Sequence, residues 1–308
     1  MQTHQHWQDI PATARGASIA MGNFDGVHRG HQRVIELARK DKAPLGIVCF
    51  EPHPREYFAP DSAPFRLMSA ETRANRLARI GVEHLYQLPF GQDLSSLSAE
   101  AFARDVLAQG LGVRHVVVGA DFCFGKGREG TATDLVKLGQ SYGFEVTVAP
   151  LLAEGDRVFS STAIRQALSD GLCQEAADML GHWHRIDGAV LHGEKRGRTL
   201  GYPTANMSIS GLHPPRFGVY AVLVDVLDGP HRGAYQGVAS MGVRPMFGQN
   251  LPNLETFIFD FSGDLYGSRL SVALVKHLRD EMRFDSLDAL ITQMDADSAR
   301  TRAILSAL

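Results

Sequence analysis

Short apolar runs alternate with amphipathic segments of helical period from Ser18 to about Leu180. The apolar runs predict β-strands at Ser18–Met21, Leu45–Phe50, His84–Leu88, His115–Val118 and Glu145–Val148. The amphipathic segments predict helices at Gln32–Lys40, Ser69–Ile80, Ala99–Gln109 and Ala132–Tyr142. This alternation indicates a Rossmann-like parallel α/β sheet, whose ligands bind on the loops beyond the carboxyl ends of the strands.

The pattern changes near Gly181. Apolar segments separated by turn residues predict strands at Val219–Val226, Leu254–Phe261 and Arg269–Leu274. In the second of these, alternate side chains would share one face, namely Glu255, Phe257, Phe259 and Phe261. Dense strands favour a small antiparallel β-barrel, and the tail from Ser286 to Ala307 predicts a C-terminal helix capped by Ser286. We therefore expect two domains, 1–182 and 183–308.

Composition narrows the class of protein. The 308 residues are 44% hydrophobic and 21% charged, as in ordinary globular proteins. A net charge of −3 argues against an electrostatic nucleic-acid binder, and three dispersed cysteines argue against a disulfide framework. The start of the chain lacks a signal-peptide pattern, and no apolar run is long enough to predict a membrane span. We expect a cytoplasmic protein with neither membrane nor nucleic acid as partner, and weak self-association stays open.

The sharpest local signal is the segment from Gly22 to His31, which follows the first predicted strand. A glycine-rich turn that leads into a helix presents backbone N–H groups to phosphate, and two imidazoles three residues apart can reach one ligand. Two alternatives remain open on the residues alone. One is a metal site formed by His28, His31 and His53, and the other is a helix-capping turn with two surface histidines.

Two further segments of the first half carry candidate chemistry. Ser160 to Arg165 combines hydroxyl groups at a helix start with a planar cation, which is either ordinary capping or a phosphate site. The loop from Gly119 to Gly130 is glycine-rich, but it lacks the residues of a P-loop. Its Phe122 and Phe124 suit either packing or the stacking of a ligand.

The second half has one glycine-rich basic segment, from Gly193 to Asn206. It is either a solvated loop or a phosphate site. Thr204 and Asn206, two residues apart, offer hard oxygen ligands for Mg²⁺. Glu255 lies on a predicted strand, where it is either a solvent-facing residue or the base that accepts a proton from a substrate hydroxyl.

The four segments of the first half, including Phe-x-Pro-His-Pro and Gly-x-Asp-Phe-x-Phe-Gly, resemble the FMN adenylyltransferase domain of prokaryotic bifunctional FAD synthetases. The resemblance runs from about Met21 to Gln166 and implies a nucleotidyltransferase. Implied contacts with ATP involve Gly22, Asn23, Phe24, His28, Gly30, His31, Ser161, Thr162 and Arg165. His28, His31 and Arg165 would also serve catalysis, and Asp121 and Phe122 would hold FMN.

From about Arg185 onward the chain resembles riboflavin kinase, through Pro-Thr-Ala-Asn, Leu254-Glu255-Thr256 and Leu278-Arg279-Asp280-Glu281. The resemblance implies that Glu255 is the general base and that Arg279 lies near the flavin. Implied ATP contacts are Gly193, Gly197, Arg198, Gly201 and Pro203, with Mg²⁺ on Thr204 and Asn206. Two positions depart from the family pattern, Ser240 and Met246, and we expect them to affect packing more than chemistry.

Together the two resemblances imply an enzyme that phosphorylates riboflavin to FMN and adenylylates FMN to FAD, with ATP as the second substrate of both steps. One alternative keeps the fold and adenylylates another phosphate ester. The other is a flavin-binding sensor with inactive catalytic loops, which would be expected to lack the histidines, Thr204, Asn206 or Glu255.

Overall fold

The computed structural model describes the chain apart from residues 151–152, 155–156, 193–200 and 247–248. For residues 153–154, 157–158, 244–246 and 249–251 it describes the backbone alone. The chain forms two compact units. The first contains residues 1–63 and 73–159, and the second contains residues 64–72 and 160–308. The functional division at residue 182, expected above, remains a prediction.

The first part of the chain alternates strands and helices. Its elements in chain order are β1 (Gln2–His4), β2 (Ser18–Met21), α1 (Arg29–Leu37), β3 (Leu45–Glu51), α2 (Pro54–Phe58), α3 (Ala70–Arg79), β4 (His84–Pro89), α4 (Gln92–Ser95), α5 (Ala99–Ala101), β5 (His115–Gly119), β6 (Cys123–Phe124), β7 (Gly130–Thr131), α6 (Ala132–Tyr142), β8 (Glu145–Ala149), β9 (Ala153–Glu154) and β10 (Arg157–Val158). Helix α5 continues as π-helical turns over Phe102–Leu111.

A six-stranded parallel sheet forms the centre of the first unit, in the order β1-β4-β3-β2-β5-β8. All five strands predicted from the apolar runs are confirmed, and β1 adds an edge strand. Strand β2 is buried along its whole length, as expected for a central parallel strand covered on both faces. The strand order reverses at β2 and β5, which makes their carboxyl ends the expected place for a ligand.

The second unit contains an antiparallel sheet and three longer helices. Its remaining elements are α7 (Ser161–Ser169), α8 (Cys173–Leu180), β11 (His184–Ala189), β12 (Thr204–Ser208), β13 (Gly218–Val226), β14 (Gly233–Met246), β15 (Gln249–Ile258), β16 (Arg269–Arg279) and α9 (Leu287–Leu305). The six strands follow the order β11-β16-β13-β14-β15-β12. The sheet curls so that its edges meet, where the Leu191 N–H donates to the Asn206 carbonyl at 2.8 Å. The predicted barrel-like antiparallel fold is therefore confirmed.

Two predictions in this unit require correction. Strand β15 ends at Ile258, not at Phe261, because the chain turns at Asp260, which has a φ of 54°. Phe259 and Phe261 therefore do not continue the face of Glu255, and Phe261 packs against the barrel core. Strand β16 extends five residues beyond the predicted Leu274, to Arg279.

The predicted C-terminal helix is confirmed as α9. It begins after Ser286, whose Oγ accepts a hydrogen bond from the Ala289 N–H at 3.1 Å. Its last residues pack against one face of the sheet, where Leu305 joins a cluster with Val219 and Leu278. No helix in the described residues is long and apolar enough to span a membrane.

Candidate functional site

The turn after β2 brings two imidazole rings together. Helix α1 begins three residues earlier than predicted because His28 caps it, its Nδ1 accepting the His31 N–H at 3.3 Å. The rings of His28 and His31 stack with centroids 3.7 Å apart. Gly30 permits this stack, since a Cβ there would lie 3.1 Å from the His28 ring. The alternative of a helix-capping turn is therefore confirmed as to the cap, but His28 is only 7% exposed and is not a surface histidine.

The proton positions of these rings follow from their contacts. Since His28 Nδ1 accepts a hydrogen bond, its neutral ring carries the proton on Nε2 and can donate from there. Burial, and secondarily the neighbouring His28, lower the pKa of His31 well below its ordinary value, so His31 is neutral at pH 7. The pair can therefore supply neutral N–H donors to an anionic ligand.

The backbone on either side of the histidines is held in a tight turn. Phe24 is buried with a φ of 52°, and its ring lies 5.2 Å from that of His31. Gly22 and Asn23, at the end of β2, line a neighbouring cavity, and the Asn23 Oδ1 is buried with no hydrogen-bond partner among the described residues.

That cavity, of about 610 Å³, lies beyond the carboxyl ends of β2, β3, β4 and β5, at the reversal of strand order. Its volume lies within the usual range for small-molecule sites. Six phenylalanines line it: Phe50, Phe58, Phe90, Phe102, Phe122 and Phe124. The polar lining includes Asn23, His53, Arg55, Asp121 and Arg128. The cavity can thus hold a planar apolar ring system together with an anionic group.

A buried cation supports this cavity. Arg73 is 3% exposed, and its guanidinium donates to the Glu51 carboxylate at 3.0 Å and to the Asn23 carbonyl at 3.4 Å. It therefore joins the loop that follows β2 to the last residue of β3. His53 also has a structural role, because its Nδ1 accepts the Arg55 N–H at 3.0 Å and so caps α2.

The segment from Ser160 to Arg165 belongs to the second compact unit. Ser160 caps α7 by accepting the Ala163 N–H at 3.2 Å, and Ser161 and Thr162 form the first turn of that helix. The guanidinium of Arg165 donates to the Phe65 carbonyl at 2.5 Å and lies 5.4 Å from the Phe65 ring centroid. The contacts of these residues with a triphosphate remain a prediction.

In the second unit, strand register gathers candidate residues into one row. Asn206 of β12 and Ser240 of β14 both pair directly with Glu255 of β15. The row continues through Val219 to Arg279. Since directly opposed residues of an antiparallel sheet point to the same face, these side chains lie side by side. Ser240, a departure from the family pattern, is thus a direct neighbour of Glu255.

The environment of Glu255 is polar. Asn253 is 2% exposed and donates from Nδ2 to Glu255 Oε1 at 3.4 Å. The Nδ2 of Asn206 donates to the Thr204 carbonyl at 3.3 Å, which leaves the Asn206 amide oxygen available to a ligand. A hydroxyl and an amide oxygen are hard donors of the kind that Mg²⁺ accepts while it retains waters and phosphate oxygens, so these residues fit the ion.

A smaller cavity, of about 200 Å³, lies beside Thr204. Pro203, Thr256 and Tyr266 also line it, and the Thr256 Oγ1 is buried with no hydrogen-bond partner among the described residues. Gly201, with a φ of 81°, precedes this segment at the surface. The expected ATP contacts of Gly193, Gly197 and Arg198 lie outside the described residues.

Arg279, expected near the flavin, lies at the end of β16. Its guanidinium forms an ion pair with Asp297 of α9 at 2.7 Å, and it lies 5.8 Å from the Phe284 ring centroid. Asp297 is 5% exposed, so this pair is largely shielded from water. The described side chain of Arg279 therefore attaches the C-terminal helix to the sheet, and its contact with a flavin remains a prediction.

The structure bears on the alternative of a histidine metal site and adds site residues that the sequence did not predict. Within the parts of the chain that the structure describes, no three His, Cys, Asp or Glu residues could hold a metal ion, so the histidine metal site has no support. Apart from Phe122 and Phe124, the aromatic lining of the cavity was not predicted, and neither were Arg73 and Asn253. Phe58, four residues after the Phe-x-Pro-His-Pro segment, was a local signal for the lining. Strand alternation was a signal for Asn253, which lies two residues before Glu255, whereas the contacts of Arg73 join distant parts of the chain.

Comparison with known proteins finds relatives along the whole chain. Residues 10–163 match the family model described as FAD synthetase, and residues 180–305 match that described as riboflavin kinase. A bifunctional riboflavin kinase/FMN adenylyltransferase from Pseudomonas fluorescens is 45% identical, over 99% of this chain and 98% of the relative. The protein of the same description from Escherichia coli K12 is 41% identical, over 94% and 93%.

Among solved structures, a crystal structure described as a macrolide-efflux protein from Streptococcus pneumoniae is similar over 98% of both chains. Its TM-score is 0.81 and its sequence identity is 34%. The similarity therefore covers both compact units.

Proposed function

The chain belongs to the family of bifunctional riboflavin kinase/FMN adenylyltransferases, and from that premise we propose which of its residues carry each reaction. It phosphorylates riboflavin to FMN and adenylylates FMN to FAD, and both reactions consume ATP. The observation that carries the proposed division of labour is that Glu255 and Asn206 lie in one compact unit, whereas His28 and His31 lie in the other.

For the kinase step, Glu255 is the general base. Its carboxylate accepts the proton of the ribityl 5′-hydroxyl, whose oxygen attacks the γ-phosphorus of ATP as the bond to the β,γ-bridging oxygen breaks and ADP leaves. Asn253 orients the carboxylate from the side. The cavity beside Thr204, with the unpartnered Thr256 hydroxyl in its wall, would take part of the ATP molecule.

Enzymes of this kind use a divalent metal ion with ATP, and we assign Mg²⁺ to this chain. Thr204 and Asn206 would hold it through their hydroxyl and amide oxygens. When bound, the ion would neutralise the charge that develops on the phosphate oxygens. We also assign Gly193, Gly197, Arg198, Gly201 and Pro203 to ATP, by family resemblance.

For the adenylyltransferase step, the FMN phosphate attacks the α-phosphorus of ATP and pyrophosphate leaves. The nucleophile is already ionised at neutral pH, so the residues need only position it and stabilise charge. His28 and His31 would donate N–H groups to phosphate oxygens, helped by the backbone at Gly22 and Gly30. Ser161, Thr162 and Arg165 are assigned to the triphosphate by family resemblance.

FMN itself would bind in the aromatic cavity of the first unit. Phenylalanines on several sides suit the planar isoalloxazine ring, and Arg55 and Arg128 supply cations for its phosphate. Phe122 would contact the ring and Asp121 a polar group of the flavin.

A flavin time course tests this proposal. The purified protein would be incubated with riboflavin, ATP and Mg²⁺, and the flavins separated chromatographically. We expect FMN to rise first and FAD to follow. FMN without FAD would contradict the assignment of the first unit to FMN, and bound flavin without conversion would favour the sensor alternative.

We propose no efflux role of the kind that the description of the pneumococcal structure mentions. The first half of this chain matches the family model of FAD synthetase and the second half that of riboflavin kinase, and both are enzymes of flavin synthesis. A cytoplasmic location and weak self-association remain predictions that a cell fractionation and a sedimentation measurement can test.

A further inference from the structure

Tyr202 contacts two different parts of the second unit. Its ring lies against that of Phe257, with centroids 4.8 Å apart and planes at 56°. Phe257 pairs across the sheet with Thr204 and lies two residues from Glu255 on the same strand. The hydroxyl of Tyr202 donates to the Asp295 carboxylate of α9. One side chain thus connects the strand of Glu255 to the C-terminal helix.

Helix α9 is well placed to act as a support. Asp297 pairs with Arg279 of β16 at 2.7 Å, and Arg302 pairs with Asp260 at 2.8 Å. Leu305 also packs in an apolar cluster with residues of β13 and β16. These contacts, at several points along the helix, hold α9 against the sheet. The hydrogen bond of Tyr202 to Asp295 therefore fixes the position of Tyr202 relative to the sheet.

The segment that contains Tyr202 has little regular structure of its own. Gly201 has a φ of 81°, and a Cβ there would have no neighbour within 4 Å. Pro203 lacks an N–H and cannot donate to the sheet. Strand pairing begins at Thr204, opposite Phe257. The Tyr202 side chain is therefore a strong determinant of where the backbone enters β12.

We propose that Tyr202, held by Asp295, is a positioning residue for the kinase step. It sets the approach of the chain to Thr204 and Asn206, and through them the placement of ATP. This inference rests on the proposed function of those two residues. Tyr202 acts through its neighbours and takes no part in proton or phosphoryl transfer.

The test is a double-mutant cycle with Tyr202→Phe and Asp295→Ala, which remove the same hydrogen bond from its two ends. We expect each to raise the KM for MgATP in riboflavin phosphorylation about 3- to 10-fold, in keeping with the loss of one hydrogen bond. The double variant should be no worse than the more affected single variant, because both changes remove one interaction. The KM for riboflavin and the conversion of FMN to FAD should stay unchanged, which also shows that the variants are folded.

Tyr235→Phe is the matched control. The Tyr235 hydroxyl, in the same unit, donates to the His231 carbonyl at 2.9 Å, and the substitution removes only that hydrogen bond. It should leave the KM for MgATP unchanged. If Tyr202→Phe behaves like this control, or if the effects of Tyr202→Phe and Asp295→Ala add in the double variant, the proposal is wrong.

Asn206→Ala distinguishes an error in the proposed function of Asn206 from an error in the positioning role of Tyr202. An unchanged KM for MgATP in this variant would contradict the proposed function of Asn206. A raised KM in Asn206→Ala beside an unchanged KM in Tyr202→Phe would contradict the positioning role alone.

Discussion

The two compact units place their candidate chemistry in opposite ways. In the first, the residues lie on loops beyond the ends of parallel strands, as with His28 and His31 after β2. In the second, the kinase candidates lie within antiparallel strands, as with Asn206 and Glu255. A parallel sheet buries both faces and leaves its strand ends for ligands, whereas an antiparallel sheet can present polar side chains on one face. A polar residue just after a strand is therefore a candidate for ligand binding in the first unit, whereas in the second unit a polar residue within a strand is such a candidate.

Glu255→Gln should separate the units most sharply. Loss of a general base should lower FMN formation about 10²- to 10⁴-fold. Conversion of added FMN to FAD should be unchanged, because it needs no base from this unit. Glu145→Gln, which changes an exposed strand glutamate of the first unit, should alter neither step. Loss of both steps in a folded Glu255→Gln variant would refute the division of labour.

His31→Ala should produce the reverse pattern, with FAD formation reduced about 10²-fold by loss of a donor to the phosphate and FMN formation unchanged. His6→Ala, at an exposed histidine, is the control. Because burial lowers the pKa of His31, its ring is already neutral near pH 6.5. The FAD-forming rate should therefore not fall between about pH 6 and 8 through deprotonation of His31. A fall near pH 6.5 that His31→Ala abolishes would show that the protonated ring is required.

Phe122→Ala examines the aromatic cavity of the first unit. Loss of one stacking ring should raise the KM for FMN in the adenylyltransferase reaction about 10-fold. The KM for riboflavin in the kinase reaction should not change, which provides an internal control in the same preparation. An equal rise of both constants would mean that Phe122 acts on the whole protein rather than on this cavity.

His184→Gln concerns stability alone. Burial lowers the pKa of His184 to about 4, and a ring nitrogen contacts the Leu67 carbonyl at 2.8 Å. Between that value and the ordinary pKa of about 6.5, the unfolded chain binds more protons, so the second unit loses stability as the pH falls. Over this range the free energy of unfolding of His184→Gln should fall less than that of the wild type, by about 1–3 kcal/mol.

Urea unfolding at several pH values, followed by Trp183 fluorescence in a Trp7→Phe background, would report this difference, since Trp183 packs in the second unit. An identical acid response of wild type and His184→Gln would show that other groups cause the loss.

Local patterns predicted much of the fold. Strand β2 and helix α6 have the predicted bounds, and Ser286 caps α9 as expected. Such features depend on residues a few positions apart. Strand β14 was not predicted, because its glycines, serine and apolar residues do not alternate regularly. The end of β15 was placed too late, since alternation continues past the turn at Asp260.

The sequence by itself determined the two fold classes, the Ser286 cap of α9 and the segments in which chemistry was expected, because each depends on neighbours along the chain. The tertiary structure alone decided the row of Asn206, Glu255 and Ser240, the aromatic cavity and the contact of Tyr202 with Asp295. These contacts join residues far apart in sequence. They depend on which strands pair and on where the sheet closes, and the alternation within a single strand does not specify its partner.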